Sequence, residues 1–117
     1  MEVSKELLSE VLVGLELDYE YPIEFYSNKN AFRYWVMESP KYQSTSEYIN
    51  IYELAFKLKI WAYSNCCELV SYTEGCEIFQ TQLGETIKYF YAETEVEAII
   101  LASEWILKEI NEKQLQH

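Results

Sequence analysis

The side chains with the most reactive chemistry in this sequence are three cysteines, Cys66, Cys67 and Cys76, and one histidine, His117. The cysteines lack the paired spacing of a zinc site, and two adjacent strand residues point to opposite faces of a sheet. In a simple hairpin register, Cys76 also lies too far from Cys67 for a disulfide. We expect buried, reduced thiols. The alternative is a reactive or regulatory cysteine, which requires an exposed thiol of low pKa.

Catalytic motifs are scarce as well. A nucleophilic triad needs a base such as histidine, and His117 lies in a tail that should fray. Glu16, Asp18 and Glu20 could line up toward a hard cation, but they lack the glycine turn and carbonyl ligands of a calcium loop. There is no glycine-rich phosphate loop. The sequence therefore predicts no catalytic, cofactor-binding or metal-binding residues, and we expect that the protein is not an enzyme.

Acidic side chains dominate the charge of the chain. The formal net charge is −11, from 20 acidic against 9 basic residues, and every acid except Asp18 is a glutamate. Contacts to phosphate need clustered Lys and Arg, so we expect neither direct nucleic-acid binding nor binding to anionic membranes. We predict a basic protein partner, in particular a nucleic-acid-binding protein; the alternative is that the charge only maintains solubility. The candidate acidic face comprises Glu16, Asp18, Glu20, Glu74, Glu77, Glu93, Glu95 and Glu97.

Tyrosine is the second unusual feature of the composition. The chain has 11 tyrosines, and six of them lie before residue 50: Tyr19, Tyr21, Tyr26, Tyr34, Tyr42 and Tyr48. Tyrosine supplies rigid contact area and is enriched at protein interfaces. The tyrosines are either sheet and core residues with a solvated hydroxyl, or part of a binding face in which carboxylates pair with Arg and Lys while the rings fill apolar gaps.

The elements that must position these side chains belong to one small domain. A chain of 117 residues, half of them hydrophobic, can build one core, so we expect a single domain over residues 1–117. No apolar run approaches the roughly 20 residues of a membrane span. The first residues lack the basic start and apolar block of a signal peptide. An odd number of cysteines agrees with reduced thiols, and we expect a cytoplasmic protein.

Hydrophobic periodicity predicts the elements of the first half. A short helix runs from about Ser4 to Val13, because its apolar residues form one stripe and Gly14 follows. Strict alternation predicts a strand from Leu15 to Tyr21, and a polar turn at residues 27–30 leads into a second strand, Ala31 to Met37. Residues 38–47 are polar and contain a proline, so we expect a loop there.

A second helix is predicted from Ile51 to Ser64, with Asn50 as its N-cap. Apolar residues extend well beyond one stripe of this helix, so we expect it to be covered on more than one side. Three strands follow, at residues 66–72, 76–82 and 86–91, with glycines in both turns. A simple register places Leu69, Phe79 and Tyr89 on one face and Val70, Ile78 and Phe90 on the other. The last helix begins at a Thr94–Glu97 capping box.

Together these elements predict an α+β fold: a mostly antiparallel sheet of about five strands, with two long helices and a short N-terminal helix packed on it. The register makes both faces of the sheet apolar, so we expect helices on both faces or a partner chain on one. A self-assembling protein, dimeric through this two-sided sheet, is therefore the alternative to an acidic binding protein.

Two resemblances extend this interpretation. The helix–three strands–helix layout over Asn50 to Asn111 is similar to the double-stranded-RNA-binding domain, but the basic residues at the start of that family's last helix are replaced by Thr94-Glu95-Val96-Glu97, which excludes that activity. Residues Tyr89 to Ile110 resemble the final strand and helix of small uncharacterised phage and mobile-element proteins, whose Thr-x-x-Glu-Ala helix entry matches Thr94, Glu97 and Ala98. That resemblance covers about a fifth of the chain. It implies an αββα layered fold and a small non-enzymatic accessory protein, such as the DNA-mimicking inhibitors that occupy the nucleic-acid surface of host enzymes.

Overall fold

The computed structural model describes residues 1–38 and 43–112. The chain divides into two compact units, Met1–Leu54 (unit 1) and Ala55–His117 (unit 2). The helices are α1 (Lys5–Val11), α2 (Ile51–Ser64) and α3 (Glu95–Asn111), with a 3-10 turn at Ser27–Lys29. The strands are β1 (Glu24–Tyr26), β2 (Ala31–Glu38), β3 (Gln43–Asn50), β4 (Cys67–Tyr72), β5 (Gly75–Gln80) and β6 (Glu85–Tyr91).

The α+β class predicted from the sequence is confirmed. The antiparallel pairing is also confirmed, but the single sheet of about five strands is wrong: among the described residues, six strands form two separate sheets, β1-β2-β3 and β4-β5-β6.

The first helix of unit 1 begins where the sequence predicts and ends slightly earlier. The Ser4 hydroxyl accepts a hydrogen bond from the Leu7 amide at 3.0 Å, which satisfies one of the free N–H groups of the first turn. Leu7 and Leu8 are fully buried. The chain then turns through Gly14 at φ +88°, a backbone conformation that glycine adopts without a Cβ clash.

The strand predicted from Leu15 to Tyr21 is not formed. Only Leu17 makes a bridge, to Val36, and two backbone hydrogen bonds of 2.8 Å flank it, from Asp18 to Trp35 and from Met37 to Glu16. The carboxylate of Asp18 accepts from the amide of Glu20, and the backbone turns at this point. A short polar side chain that bonds to nearby backbone competes with a ladder, which explains why the alternating pattern does not continue as a strand.

The sheet of unit 1 contains a strand that the sequence pattern did not predict. β2 lies between β1 and β3, and Asn30, in the left-handed region at φ 49°, closes the turn between β1 and β2. β3 overlaps the predicted loop at residues 38–47; residues 39–42 of that loop lie outside the described residues. The loop prediction is wrong for residues 43–47, because β2 supplies backbone pairing for an edge strand whose own side chains are mostly polar.

The helix α2 has the predicted boundaries, and the side chain of Asn50 accepts hydrogen bonds from the amides of its first turn. Its predicted inner face is buried: Ile51, Leu54, Ala55, Leu58, Trp61 and Ala62. The expectation that its remaining apolar residues are also covered is wrong. Tyr52, Phe56, Ile60 and Tyr63 are 56–65% exposed, since the buried sector covers only one side of this helix.

The sheet of unit 2 differs from the predicted register by one residue. Tyr72 pairs with Gly75, so the turn contains only Thr73 and Glu74, and Leu69 pairs with Ile78. A one-residue slip moves every side chain of a strand to the opposite face. The predicted grouping of Leu69 with Phe79 is therefore wrong: Leu69, Ile78 and Phe90 share one face, and Val70, Glu77 and Tyr89 share the other.

The helix α3 covers the first of these two faces. Its residues approach all three strands, and Trp105 lies 6.4 Å from Phe90 between ring centroids. Thr94 caps it by accepting from the Glu97 amide at 3.2 Å, as the sequence predicts. Its apolar stripe is buried: Val96, Ile99, Ile100, Ser103, Ile106 and Leu107. The opposite face is mixed: half-buried Val70 and Phe79 lie there beside Glu77 and exposed tyrosines, so this face is less uniformly apolar than the sequence predicts.

Candidate functional site

The exposed face of the sheet in unit 2 carries tyrosines around one carboxylate. Glu77 lies on the central strand β5 and pairs with Val70 on one side and Tyr89 on the other. Its carboxylate accepts hydrogen bonds from the hydroxyls of Tyr72 and, at 3.2 Å, Thr86. The bond to Glu77 is the main cause that raises the pKa of Tyr72 to about 12. Glu77 is therefore a half-buried carboxylate held in place by two hydroxyl donors.

Three more of the predicted acids lie at one end of this sheet. The amide of Ala92 donates to the carbonyl of Glu74 at 3.1 Å, which brings the β4–β5 turn next to the segment that leads into α3. Glu93 and Glu95 lie in and just after that segment, and the carboxylate of Glu95 accepts from the hydroxyl of Ser71. Glu74, Glu93 and Glu95 are exposed. Glu74, Glu93 and Glu95 therefore lie near the same end of the sheet, with Glu95 bound to Ser71 on the side that α3 covers.

We call these residues the Tyr–Glu patch: Tyr72, Glu74, Glu77, Tyr89, Tyr91, Glu93 and Glu95. Its tyrosines are 50%, 55% and 77% exposed, in that chain order. Large aromatic side chains exposed to this extent next to oriented carboxylates have the composition of a protein-binding surface. The predicted residue Glu97 lies within the first turn of α3 and is half-buried.

The other three predicted acids lie in unit 1 and differ among themselves. Glu16 and Glu20 are exposed, whereas Asp18 is only 7% exposed. The carboxylate of Asp18 accepts from the Ser44 hydroxyl and from the Glu20 amide, at 3.0 Å for the latter, and these bonds lower its pKa below the ordinary value. Asp18 therefore holds the local backbone, and its carboxylate is already occupied by partners within the chain.

The cysteines are free, and two of them are buried, as predicted. Burial raises the pKa of the Cys67 and Cys76 thiols to about 11 each, which disfavours the reactive thiolate. Cys66 is half-buried and has a positive φ of 64°. Cys67 pairs with Gln80 and Cys76 with Ser71, four positions further along β4, so these two thiols are far apart along the strands, as the sequence predicts.

The described part of the chain has neither a metal-binding cluster nor a membrane-spanning helix. Over residues 1–38 and 43–112, no group of three or more His, Cys, Asp or Glu side chains is arranged to hold a metal ion. No helix within these residues is long and apolar enough to cross a membrane.

A second cluster, in unit 1, combines aromatic rings with cations. Tyr21 stacks on Trp35 with 4.5 Å between ring centroids, and the guanidinium of Arg33 lies 4.7 Å from the Trp35 ring. On its other side Arg33 donates to the hydroxyl of Tyr26, which contacts Tyr48 edge to face. The ammonium of Lys29 lies 4.3 Å from the Tyr48 ring. We call these six residues the cation–aromatic row.

The backbone of unit 1 explains how the cation–aromatic row is assembled. Arg33 and Trp35 alternate along the central strand β2, and Tyr48 and Ser46 face them from β3 in register. The intervening residues Phe32 and Tyr34 point to the opposite face and are buried. The hydrogen bond to Tyr26 raises the pKa of Arg33, so the guanidinium remains a permanent positive charge.

Arg33 was not among the residues predicted from the sequence to be functional. The available signal was that Arg33 is the only arginine of an acidic chain and lies in an aromatic strand, at an alternating position next to the apolar ones. The net charge of −11 is a sum over the whole chain, so it does not reveal a single cation in a local aromatic cluster. Comparisons of the chain with protein-family models, with curated proteins and with solved structures gave no match.

Proposed function

We propose that this protein is a non-enzymatic binding protein that docks the Tyr–Glu patch onto a basic surface of another protein. The observation that carries the proposal is the arrangement of three exposed tyrosines around the oriented carboxylate of Glu77, with Glu74, Glu93 and Glu95 at the end of the same sheet. Nucleic-acid-binding proteins are the partner class with the required positive charge, and the bound patch would occlude their nucleic-acid surface.

The mechanism divides between the two kinds of side chain. The net charge of −11 attracts a basic partner over long distances and raises the association rate, which salt then reduces. Tyr72, Tyr89 and Tyr91 supply aromatic area that is removed from water in the complex, and such anchors mainly slow dissociation. The charge of the patch therefore sets how fast the complex forms, and the tyrosines set how long it lasts.

The test uses two charge-reversed variants that carry the same net charge. Glu74→Lys with Glu93→Lys changes the patch, and Glu2→Lys with Glu6→Lys changes exposed acids of unit 1. Each immobilised protein is exposed to a bacterial lysate at low and at high salt, and retained proteins are identified by mass spectrometry. We expect basic nucleic-acid-binding proteins that elute with salt and are retained by the unit 1 variant but not by the patch variant.

A second measurement tests occlusion directly. The retained protein is purified, and its binding to DNA or RNA is measured with increasing amounts of the wild type and of each variant. Stoichiometric inhibition by the wild type and the unit 1 variant supports the proposal. Retention of acidic proteins only, indifference to salt, or equal behaviour of both variants would contradict it.

Self-association is the second candidate function, and a specific surface favours it. Phe56, Ile60 and Tyr63 line a groove of about 480 Å³, together with Lys59, Glu68 and Leu69. Exposed apolar side chains on one side of a helix are a common dimerisation surface. Light scattering over micromolar concentrations separates the two functions: a dimer that Ile60→Glu converts to a monomer supports self-association, and a wild-type monomer at all concentrations excludes it.

A further inference from the structure

The only arginine of the chain, Arg33, lies directly opposite Glu24 in the β1–β2 register, and the charge of Glu24 is one of the causes that raise the pKa of Arg33. The chain has 20 acidic residues, yet within residues 1–38 and 43–112 the guanidinium of Arg33 forms no ion pair. Its two hydrogen bonds go to hydroxyl groups, Tyr26 at 3.3 Å and Ser46 at 3.4 Å, and both are longer than the roughly 2.7–2.9 Å of a charge-assisted bond. The terminal nitrogens of Arg33 therefore have N–H groups that no carboxylate of the described residues binds directly, although Glu24 is close enough to compete for them.

The guanidinium is also held in one place. It is half-buried on the central strand, it lies against the Trp35 ring, and its Nε atom is buried without a hydrogen-bond partner among the described residues. An arginine has five N–H donors in a planar fork, and a buried donor that lacks a partner is uncommon in native proteins. The row thus presents a cation that is fixed by rings and only weakly bonded.

We propose that the cation–aromatic row is a docking site for an extended acidic segment of a partner protein, with one carboxylate bound by the terminal nitrogens of Arg33. A carboxylate matches the planar fork with two parallel bonds, and Lys29 at the end of the row attracts a second one. Tyr21 and Tyr48 are each 43% exposed and line the rest of the surface. Arg, Trp and Tyr are also the residue types that dominate binding energy at protein interfaces. This site lies in unit 1 and is independent of the Tyr–Glu patch.

The geometry favours an acidic protein over single-stranded nucleic acid. Nucleic acid needs free ring faces for its bases, but Trp35 is already stacked by Tyr21 and Arg33, and Tyr48 already carries Lys29. The row holds two cations in a chain of net charge −11, which repels a polyanionic backbone. A short segment with a few carboxylates needs only one well-placed guanidinium.

The site predicts a salt dependence opposite to that of the Tyr–Glu patch. Long-range repulsion between an acidic chain and an acidic peptide is screened by salt, whereas a half-buried pair in direct contact is screened much less. Binding to the row therefore persists or strengthens as salt rises, while binding of a basic partner to the patch weakens. The two proposals can thus fail independently of each other.

The test follows the Arg33 side chain in the intact protein. A single arginine gives a single Nε–H signal in nuclear magnetic resonance spectra, so no assignment ambiguity arises. The probe is a blocked peptide of glutamates alternating with glycines, which places all carboxylates on one side when extended. Matched peptides with glutamine or lysine in place of glutamate, and a thymidine oligonucleotide, serve as controls.

We expect the glutamate peptide to shift the Arg33 signal saturably, while the glutamine and lysine peptides leave it in place. Arg33→Lys keeps the charge but loses the planar fork. We therefore expect the affinity for the peptide, measured by fluorescence anisotropy, to fall by about tenfold or more. Lys108→Met, an exposed cation of unit 2, should bind as the wild type does. Lys29→Met should weaken binding less than Arg33→Lys does, because solvent and salt screen the attraction of an exposed cation more strongly. Lys29→Met also serves as the second variant if Arg33→Lys does not fold.

Several outcomes would overturn the proposal. The first is the absence of any shift with the glutamate peptide at millimolar concentration. The second is a shift with the oligonucleotide but not with the peptide, which would assign the row to nucleic acid. The third is an equal loss of binding in Lys108→Met, which would reveal attraction to overall positive charge. The fourth is binding that disappears at high salt.

Discussion

The two sheets of the chain share a layout but differ in the charge of their exposed side chains. Each has three consecutive antiparallel strands followed by a helix, β1-β2-β3 before α2 and β4-β5-β6 before α3. In unit 1 the central strand presents Arg33 among aromatic rings. In unit 2 the central strand presents Glu77 among tyrosine and threonine hydroxyls. The same framework therefore holds one fixed cation and one fixed anion.

This difference shows how little a net charge says about a local surface. Both units are acidic, yet aromatic neighbours and hydroxyls surround a guanidinium in one and a carboxylate in the other. In both cases the charged group is placed by strand register and oriented by hydrogen bonds with neighbouring strands: Arg33 donates to Tyr26 and Ser46, and Glu77 accepts from Tyr72 and Thr86. Recognition depends on such local arrangements, whereas the net charge acts mainly on long-range attraction and solubility.

The largest expected effect concerns the cores behind these faces. Phe32 is 1% exposed in unit 1, and Ile78 is fully buried in unit 2. We expect Phe32→Ala to lower the free energy of unfolding by about 3–5 kcal/mol and Ile78→Ala by about 2–5 kcal/mol. Urea denaturation followed by circular dichroism measures both. Thiol labelling of Cys67 and Cys76 reports opening of unit 2 alone. A loss below about 1 kcal/mol for either variant would contradict the burial of that residue.

The helix caps give a smaller effect that compares the two units directly. Thr94→Ala in unit 2 and Ser4→Ala in unit 1 each remove a hydroxyl that accepts from a first-turn amide, at 3.2 Å and 3.0 Å. Each substitution should cost about 1 kcal/mol, within a range of 0.5–2 kcal/mol. Thr94→Ser retains the hydroxyl and serves as the control in urea denaturation. Equal losses in Thr94→Ala and Thr94→Ser would show that the methyl group, and not the cap, is responsible.

Acid should destabilise unit 1 through Asp18. The bonds from Ser44 and Glu20 lower the pKa of its carboxyl below the ordinary 3.8. Its contribution to stability is therefore complete above the unfolded-state pKa and is lost as the pH falls through the lower, folded-state pKa. Urea midpoints measured from neutral to strongly acidic pH should fall more in the wild type than in Asp18→Asn. Parallel curves for the two proteins would refute this assignment.

Alkali should have the smallest effect, and it acts on unit 2 through Tyr72. The bond to Glu77 raises the pKa of Tyr72 from 10.0 to about 12. The contribution of this bond is complete below the unfolded-state pKa and is lost as the pH rises through the folded-state pKa. The difference in tyrosinate absorbance between the wild type and Tyr72→Phe measures the pKa. Glu77→Gln should bring it back toward 10.0, and an unchanged value would argue against the bond.

The sequence predicted those elements whose signal is local. The three helices and their caps depend on periodicity and on side chains within one turn, so α2 was predicted with its observed boundaries and the caps at Ser4, Asn50 and Thr94 are all formed. β3 was missed because an edge strand of polar residues forms only when β2 is present to pair with it. Pairing between strands is a property of two segments, and a pattern within one segment cannot encode it.

The candidate site, like the fold, was predictable from the sequence only where its signal is local. The acids of the Tyr–Glu patch were named from composition, but the grouping of Tyr72 with Glu77 depends on a two-residue turn that was predicted as three residues. That one-residue slip exchanged the two faces of β4 relative to β5 and β6, and so placed Tyr72 on the wrong side of the sheet. Asp18 was named with the exposed acids because its burial depends on the Ser44 contact, which joins segments 26 positions apart.

The order of the strands in both sheets has a consequence for how quickly the chain folds. Every pairing within the sheets joins strands that follow one another along the chain, and the turns between the strands of the second sheet are short. Short loops cost little entropy to close, and proteins rich in such local contacts fold within roughly milliseconds. Each hairpin can form while the ribosome is still adding the next segment. Early pairing of each hairpin shortens the time during which its strands have no partner at all, which limits aggregation during synthesis.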